Sequence, residues 1–263
     1  MLDESLFTEV DARGTATLTL NRPALHNAFD DRLIADLIQE LHELQADPQV
    51  RVIVLAAAGK SFSAGADLNW MRRMAEYSWE QNMADAMALA ELMHTLNTLP
   101  KPTLAKVQGP AYGGGVGLVA CCDIAVAAET AVFSLTEVRL GLIPAVISPY
   151  VIDAIGERQA RRYFLTGEPF NAQEARRIGL VHEVVAPEAL DEAVAKLLAV
   201  IAGNGPAAMG AAKELIHTVS RGSVDIVMIE ETARRIANIR TSPEGREGLS
   251  AFLNKRQPNW RQD

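Results

Sequence analysis

Ala111-Tyr112-Gly113-Gly114-Gly115-Val116-Gly117 sets three consecutive glycines at the mouth of an apolar run that continues through Leu118, Val119 and Ala120. Without Cβ atoms the main chain can approach a ligand closely and adopt φ > 0 without strain. The amides at a helix start also lack intrahelical acceptors and favour negative charge. Such a stretch is either a plain strand-to-helix turn or a platform of backbone donors, and the glycines alone leave both readings open. Some fifty residues upstream, Ser61-Phe62-Ser63-Ala64-Gly65-Ala66-Asp67-Leu68 repeats the pattern. It too follows a buried-strand signal, Val52-Ile53-Val54-Leu55-Ala56, and precedes a helical one. Two amide-presenting turns, each after a buried strand, could aim two N–H donors at one oxygen, the geometry of an oxyanion hole.

Outward from these turns, strand and helix signals alternate. Residues 15–20 alternate with period two and read as a half-buried strand, and residues 30–44 carry leucines at helical spacing. A helix is predicted through Met74 and a longer one over 81–99, bounded by Pro100 and Pro102. Residues 103–107 and 123–127 read as further strands. This order predicts an α/β architecture with helices packed on sheet. After Val185 the signals turn helical, over 187–202, 206–220, 223–239 and 243–255. Four helices without strands predict a helical tail, expected to pack on a neighbouring subunit.

The chain has 263 residues, 49% of them hydrophobic and 22% charged, which suits a soluble globular protein with a sizeable core. A formal charge of −8 argues against general nucleic-acid binding, which needs basic surface. Asp3 and Glu4 stand where a leader would be basic, and no apolar stretch is long enough to span a bilayer. The adjacent Cys121 and Cys122 suit neither an ordinary disulfide nor a metal site, and the five histidines are scattered. A cytoplasmic protein without a metal is expected. The glycine turn lacks the third glycine of a dinucleotide fingerprint and the Gly-Lys-Ser/Thr of a P-loop, and the chain has no G-x-S-x-G elbow.

Taken together, Ser63 to Leu68, Gly113 to Gly115 with Cys122-Asp123-Ile124 behind them, and Phe133-Ser134-Leu135-Thr136-Glu137-Val138-Arg139-Leu140-Gly141-Leu142-Ile143-Pro144 resemble the enoyl-CoA hydratase/isomerase (crotonase) superfamily. Asn21-Arg22-Pro23, Leu165-Thr166-Gly167 and Gly179-Leu180-Val181 keep the family's order, so the resemblance spans nearly the whole chain. Segments 141–152 and 157–172 look most like bacterial 3-methylglutaconyl-CoA hydratases of leucine and acyclic-terpene breakdown. The resemblance implies a spiral of ββα units over residues 1–200. It further implies a C-terminal helical oligomerisation region over 201–263, forming trimers often paired into hexamers. An acyl-CoA thioester is the implied partner, with no cofactor beyond the coenzyme A that the substrate carries, and with neither nucleic acid nor membrane involved.

Position by position, the implied oxyanion donors are the Ala66 and Gly114 amides. Ala64, Ala66, Asp67, Leu68, Asn69, Gly114 and Gly117 are expected to line the acyl-CoA site, although Asp67 is also expected to cap the following helix. The second of the family's two usual glutamates maps onto Glu137, the expected general acid/base. The first maps onto Gly117, which cannot move a proton. One expectation is a hydratase in which a carboxylate on a branched substrate such as 3-methylglutaconyl-CoA helps orient water, with Gly117 leaving room for that group. The alternatives are an enoyl-CoA isomerase using Glu137 alone, or a non-catalytic acyl-CoA-binding subunit. Ala145 to Tyr150 lacks the family's usual glycines, which predicts a bulkier pocket wall.

Overall fold

The computed structural model of the chain describes residues 5–220 and 222–261. Asp3 and Glu4, read above against a leader, lie outside the described residues.

Strands β1 (Leu6–Val10) and β2 (Thr15–Leu20) precede helix α1 (Asp31–Ala46) and strand β3 (Val52–Ala57). Helices α2 (Leu68–Met74) and α3 (Trp79–Thr98) lead to β4 (Thr103–Val107). Then come β5 (Ala111–Tyr112), α4 (Gly114–Cys121), β6 (Ile124–Ala128) and β7 (Val132–Ser134). Helix α5 (Ser148–Thr166), interrupted at Gly156, is followed by β8 (Phe170–Asn171), α6 (Ala172–Ile178) and β9 (Glu183–Val185). Four helices close the chain: α7 (Leu190–Ala202), α8 (Pro206–Val219), α9 (Ile226–Thr241) and α10 (Pro243–Leu253).

The main sheet runs β1-β2-β3-β4-β6-β9, parallel throughout except for the β1–β2 pair. A small sheet, β5-β7-β8, stands apart from it. Parallel strands are covered on both faces, which is why β3 is a continuous apolar run. In β2 the alternation is kept: Ala16, Leu18 and Leu20 are fully buried, while Thr17 and Thr19 are less so. Helix α1 lays Leu33, Ile34, Leu37, Leu41 and Leu44 into the core, and its start is fixed by the Asp30 carboxylate accepting from the Leu33 amide at 2.8 Å.

Helix α7 belongs to the core, because Leu190 and Val194 pack with Val54, Leu104, Val126 and Ala128. Beyond it, burial nearly ceases. Among the described side chains, Lys213 is the buried residue of α8, Ala251 that of α10, and α9 has none. Lys213 anchors α8 by pairing its Nζ with Asp123 Oδ2 at 2.8 Å. The same carboxylate accepts from the Thr103 amide and hydroxyl at 2.7 and 3.0 Å, so one acid joins the tail to β4. Asp123, expected as the first residue of a strand, is this junction instead, and the strand begins at Ile124. No single helix among the described residues is long and apolar enough to cross a membrane.

Candidate active site

The two glycine-bearing turns meet. The first leaves β3 and is shaped by the segment ahead of α1, where His26 and Asn27 both take positive φ. The buried Asn27 amide nitrogen donates to the carbonyls of Ala58 and Ser61 at 2.9 and 2.8 Å, and its oxygen accepts from the Arg22 amide at 2.8 Å. Phe29 then grips the turn from below. Its amide donates to Gly65 O and its carbonyl accepts from the Asp67 amide, each at 2.7 Å. These two bonds bracket Ala66, pairing it with Phe29 as an isolated parallel bridge. In such a bridge the bracketed residue turns its own N–H to the opposite side. The Ala66 amide has no protein acceptor among the described residues, and the residue is exposed.

The second turn is bolted to the first. The Tyr112 amide donates to Ser63 O at 2.8 Å, and Ser63 pairs with Ala111. A Cβ built on Gly65 would lie 3.0 Å from the Tyr112 carbonyl oxygen, and one on Gly115 would lie 2.9 Å from Ser63 Cβ. On Gly114 it would come within 2.7 Å of Phe29 Cε2. The glycines are therefore what lets the turns touch. At Gly113 φ is +50°, its amide donates to Ser134 O at 3.0 Å, and its carbonyl accepts from Val116 and Gly117 at 2.9 and 3.3 Å. The Gly114 amide, in the first turn of α4, is left without a protein acceptor among the described residues.

Glu137 arrives at the same turn from β7, which pairs in parallel with β5. It opens a short 3-10 helix, Glu137–Leu140. A Cβ on Gly113 would lie 3.1 Å from Glu137 Oε1. The other carboxyl oxygen, Oε2, is buried without a hydrogen-bond partner. Burial pushes the Glu137 carboxyl above its ordinary value, and a bond from its own backbone only partly opposes this. A carboxyl with one buried, unpartnered oxygen, at the turn that carries the unpaired Gly114 amide, can take and return a proton next to a developing oxyanion.

Asp67 is engaged as expected. Its Oδ1 accepts from the Asn69 and Trp70 amides at 2.8 and 3.1 Å, capping α2. Arg22 links it to the cap of α1, lying 2.8 Å from Asp30 and 3.9 Å from Asp67. Ala64 is half-buried, with its amide on His26 O at 2.9 Å, while Leu68 and Asn69 are exposed on the first turn of α2. Burial raises the Cys122 thiol to about 12 and that of Cys121 well above its ordinary value, so both remain protonated.

Gly117 requires a correction. The space expected beside it is filled, because a Cβ there would fall 2.3 Å from Ile147 Cγ2 and 3.3 Å from Met93 Cε. Ile147 is 3% exposed and sits just ahead of α5. A bulky wall was foreseen at 145–150, but not that its isoleucine packs onto Gly117. Phe29 and Asn27 were missed as well. Their only signal was an Asn in an Arg-Pro segment suited to left-handed turns, and it does not reveal which distant loop they hold.

The family model for enoyl-CoA hydratase/isomerase matches residues 11–263. A 2,3-dehydroadipyl-CoA hydratase of Escherichia coli is 35% identical over 246 residues, 93% of this chain and 94% of that one. An enoyl-CoA hydratase of Alternaria alternata is 34% identical over 247 residues, 93% of this chain and 80% of that one. The crystal structure of an enoyl-CoA hydratase from Shewanella pealeana matches with TM-score 0.95 at 46% identity, covering 98% of this chain and 97% of the other. The chain belongs to the enoyl-CoA hydratase/isomerase family and has its crotonase fold.

Proposed function

We propose that the chain is an enoyl-CoA hydratase, a carbon–oxygen lyase, in which Glu137 carries the proton and the Ala66 and Gly114 amides hold the thioester oxygen. One observation carries this reading: a buried, unpartnered carboxyl oxygen on Glu137 at the turn that also bears the free Gly114 amide. In the hydration direction, ionised Glu137 takes a proton from water as the water oxygen bonds to C3. The C2=C3 electron pair moves onto the thioester oxygen as an enolate, facing the two amides. Glu137 then returns its proton to C2 and the carbonyl re-forms. The proton balance closes on one carboxylate, and the reaction needs no cofactor beyond the coenzyme A of the substrate. Ala64 and the 66–69 segment line the thioester's approach in this reading, with Ala66, Leu68 and Asn69 exposed along it.

The substrate class is a branched, carboxylated 2-enoyl-CoA such as 3-methylglutaconyl-CoA, as in leucine and acyclic-terpene breakdown. Two things support it. Asp67 is already committed to capping, so a second carboxylate to orient the water is best supplied by the substrate. The Escherichia coli relative is also named for a dicarboxylic enoyl thioester, 2,3-dehydroadipyl-CoA. The lone carboxylate equally suits an isomerase that shuttles a proton between C2 and C4, and one panel separates the two. The ratio kcat/KM for hydrating 3-methylglutaconyl-CoA is expected to exceed that for crotonyl-CoA by about tenfold or more. Activity should fall with decreasing pH through a limb above the ordinary glutamate range, since Glu137 must be ionised and burial holds its proton. Equal rates on both thioesters sink the substrate-assisted reading. Faster isomerisation of a 3-enoyl-CoA than hydration of any 2-enoyl-CoA makes the protein an isomerase.

Residues 201–263 are assigned to assembly as a trimer or hexamer. The support is the apolar surface they leave bare, with Val224 89%, Val227 70% and Phe252 81% exposed. Sedimentation at the mass of three or six chains is expected, and a monodisperse monomer contradicts it.

A further inference from the structure

We propose that Arg22 is a positioning residue for the oxyanion turn: it clamps the backbone bridge that aims the Ala66 amide and offsets the carboxylate beside that donor. The inference rests on the function proposed above, in which the Ala66 amide faces the thioester oxygen.

The guanidinium, a planar fork suited to several acceptors at once, reaches three groups around one bridge. Its Nη1 donates to Ala28 O at 3.1 Å and lies 2.8 Å from Asp30 Oδ2, while its Nη2 lies 3.9 Å from Asp67 Oδ2. Ala28 and Asp30 flank Phe29, whose carbonyl and amide hold the Asp67 amide and Gly65 O on either side of Ala66. One side chain therefore grips both sides of the bridge. Its own main chain is fixed as well. The Arg22 amide donates to Asn27 Oδ1 at 2.8 Å, and the Arg22 carbonyl accepts from the Asn27 amide at 3.0 Å.

Charge gives the clamp a second role. Asp67 follows Ala66 directly, with consecutive Cα atoms about 3.8 Å apart. Its side chain is a carboxylate, 8% exposed and weakly screened by water, on the residue next to a donor that must receive enolate charge. Asp30 is a second acid at the same bridge, and both pair with Arg22. Without the guanidinium the two carboxylates would oppose the enolate more than the neutral thioester that precedes it.

Arg22→Met keeps most of the side chain's length and removes its charge. For hydration, kcat is expected to fall by about tenfold to a hundredfold. The Kd of a saturated acyl-CoA should stay within about threefold, because its carbonyl bears little charge. Arg22→Met/Asp67→Asn removes one carboxylate too, and asparagine still caps α2. That variant restores the native balance of charge at the bridge, so most of the lost kcat should return. Arg22→Lys, which keeps the charge, should lose less than Arg22→Met. If the methionine variant does not fold, Arg22→Gln, which retains an amide donor for Ala28 O, takes its place in the same comparison. A native kcat in the uncharged variant, or a double variant no faster than the single, overturns the role of Arg22. Parallel loss of turnover and binding overturns it too, leaving the residue a structural part. The two readings fail separately. Full turnover by Glu137→Gln removes the proposed chemistry, whereas native kcat in Arg22 variants of a protein that needs Glu137 removes only the clamp.

Discussion

Glu137→Gln is expected to lower kcat for hydration by about three to four orders of magnitude, the upper part of the range for a positioned acid/base group. Glutamine keeps the size and hydrogen-bonding shape of the side chain but can neither take the proton from water nor return it to C2. No neighbour on the two turns can take over. Asp67 is spent on the Asn69 and Trp70 amides, and Gly117 carries no side chain. The amides are main chain and stay where they are, so the Kd for an acyl-CoA should stay within a few-fold of native. Isothermal titration with a saturated thioester, beside steady-state kinetics, reads both quantities. Near-native turnover in a folded variant would remove Glu137 from the chemistry. Loss of binding along with turnover would make its role structural.

Gly114→Ala is the second large effect, and it acts through Phe29. The new methyl would sit 2.7 Å from Phe29 Cε2 and 3.0 Å from Cδ2. Phe29 is 1% exposed, so its ring has no solvent to retreat into. Its backbone holds Gly65 O and the Asp67 amide at 2.7 Å on either side of Ala66. One methyl therefore disturbs both donors: Gly114 directly, and Ala66 through the bridge. Loss of a preorganised donor costs about 3 kcal/mol in the transition state, which predicts a fall in kcat of about a hundredfold or more. KM is expected to move little, because the enolate is what leans on these amides while the ground-state thioester does so weakly. A native kcat in the folded variant would show that the Gly114 turn does not serve the reaction.

Wherever apolar periodicity decides the outcome, the fold was legible from sequence. Strands 15–20 and 103–107 were read to the residue, and α1 and β3 to within two residues. Burial patterns repeat locally, and local repetition is what a sequence displays. The short strands β5, β7, β8 and β9, of two or three residues each, went unread because too few positions carry a period. Their existence depends on partners far along the chain. The two turns were legible as strand-to-helix turns because glycines and small residues mark them, whereas Glu137 was singled out only through the family resemblance. Filling the space beside Gly117 was not. A glycine reads the same whether it opens a cavity or admits a neighbour, and only the packing of Ile147, thirty residues away, decides between them. Phe29 was invisible for the same reason. Its work is done by a backbone bridge and a ring edge, neither of which leaves a pattern in composition.

The central claim is that two main-chain hydrogens polarise a single thioester carbonyl. Its most direct measurement is the carbonyl stretching frequency of an isotope-labelled acyl-CoA bound to the Glu137→Gln protein, which holds the thioester without turning it over. Donation from Ala66 and Gly114 predicts a band at lower frequency than for the same thioester in water, with part of the shift lost when Gly114→Ala is added. A bound band at the aqueous frequency, indifferent to Gly114, would contradict the account.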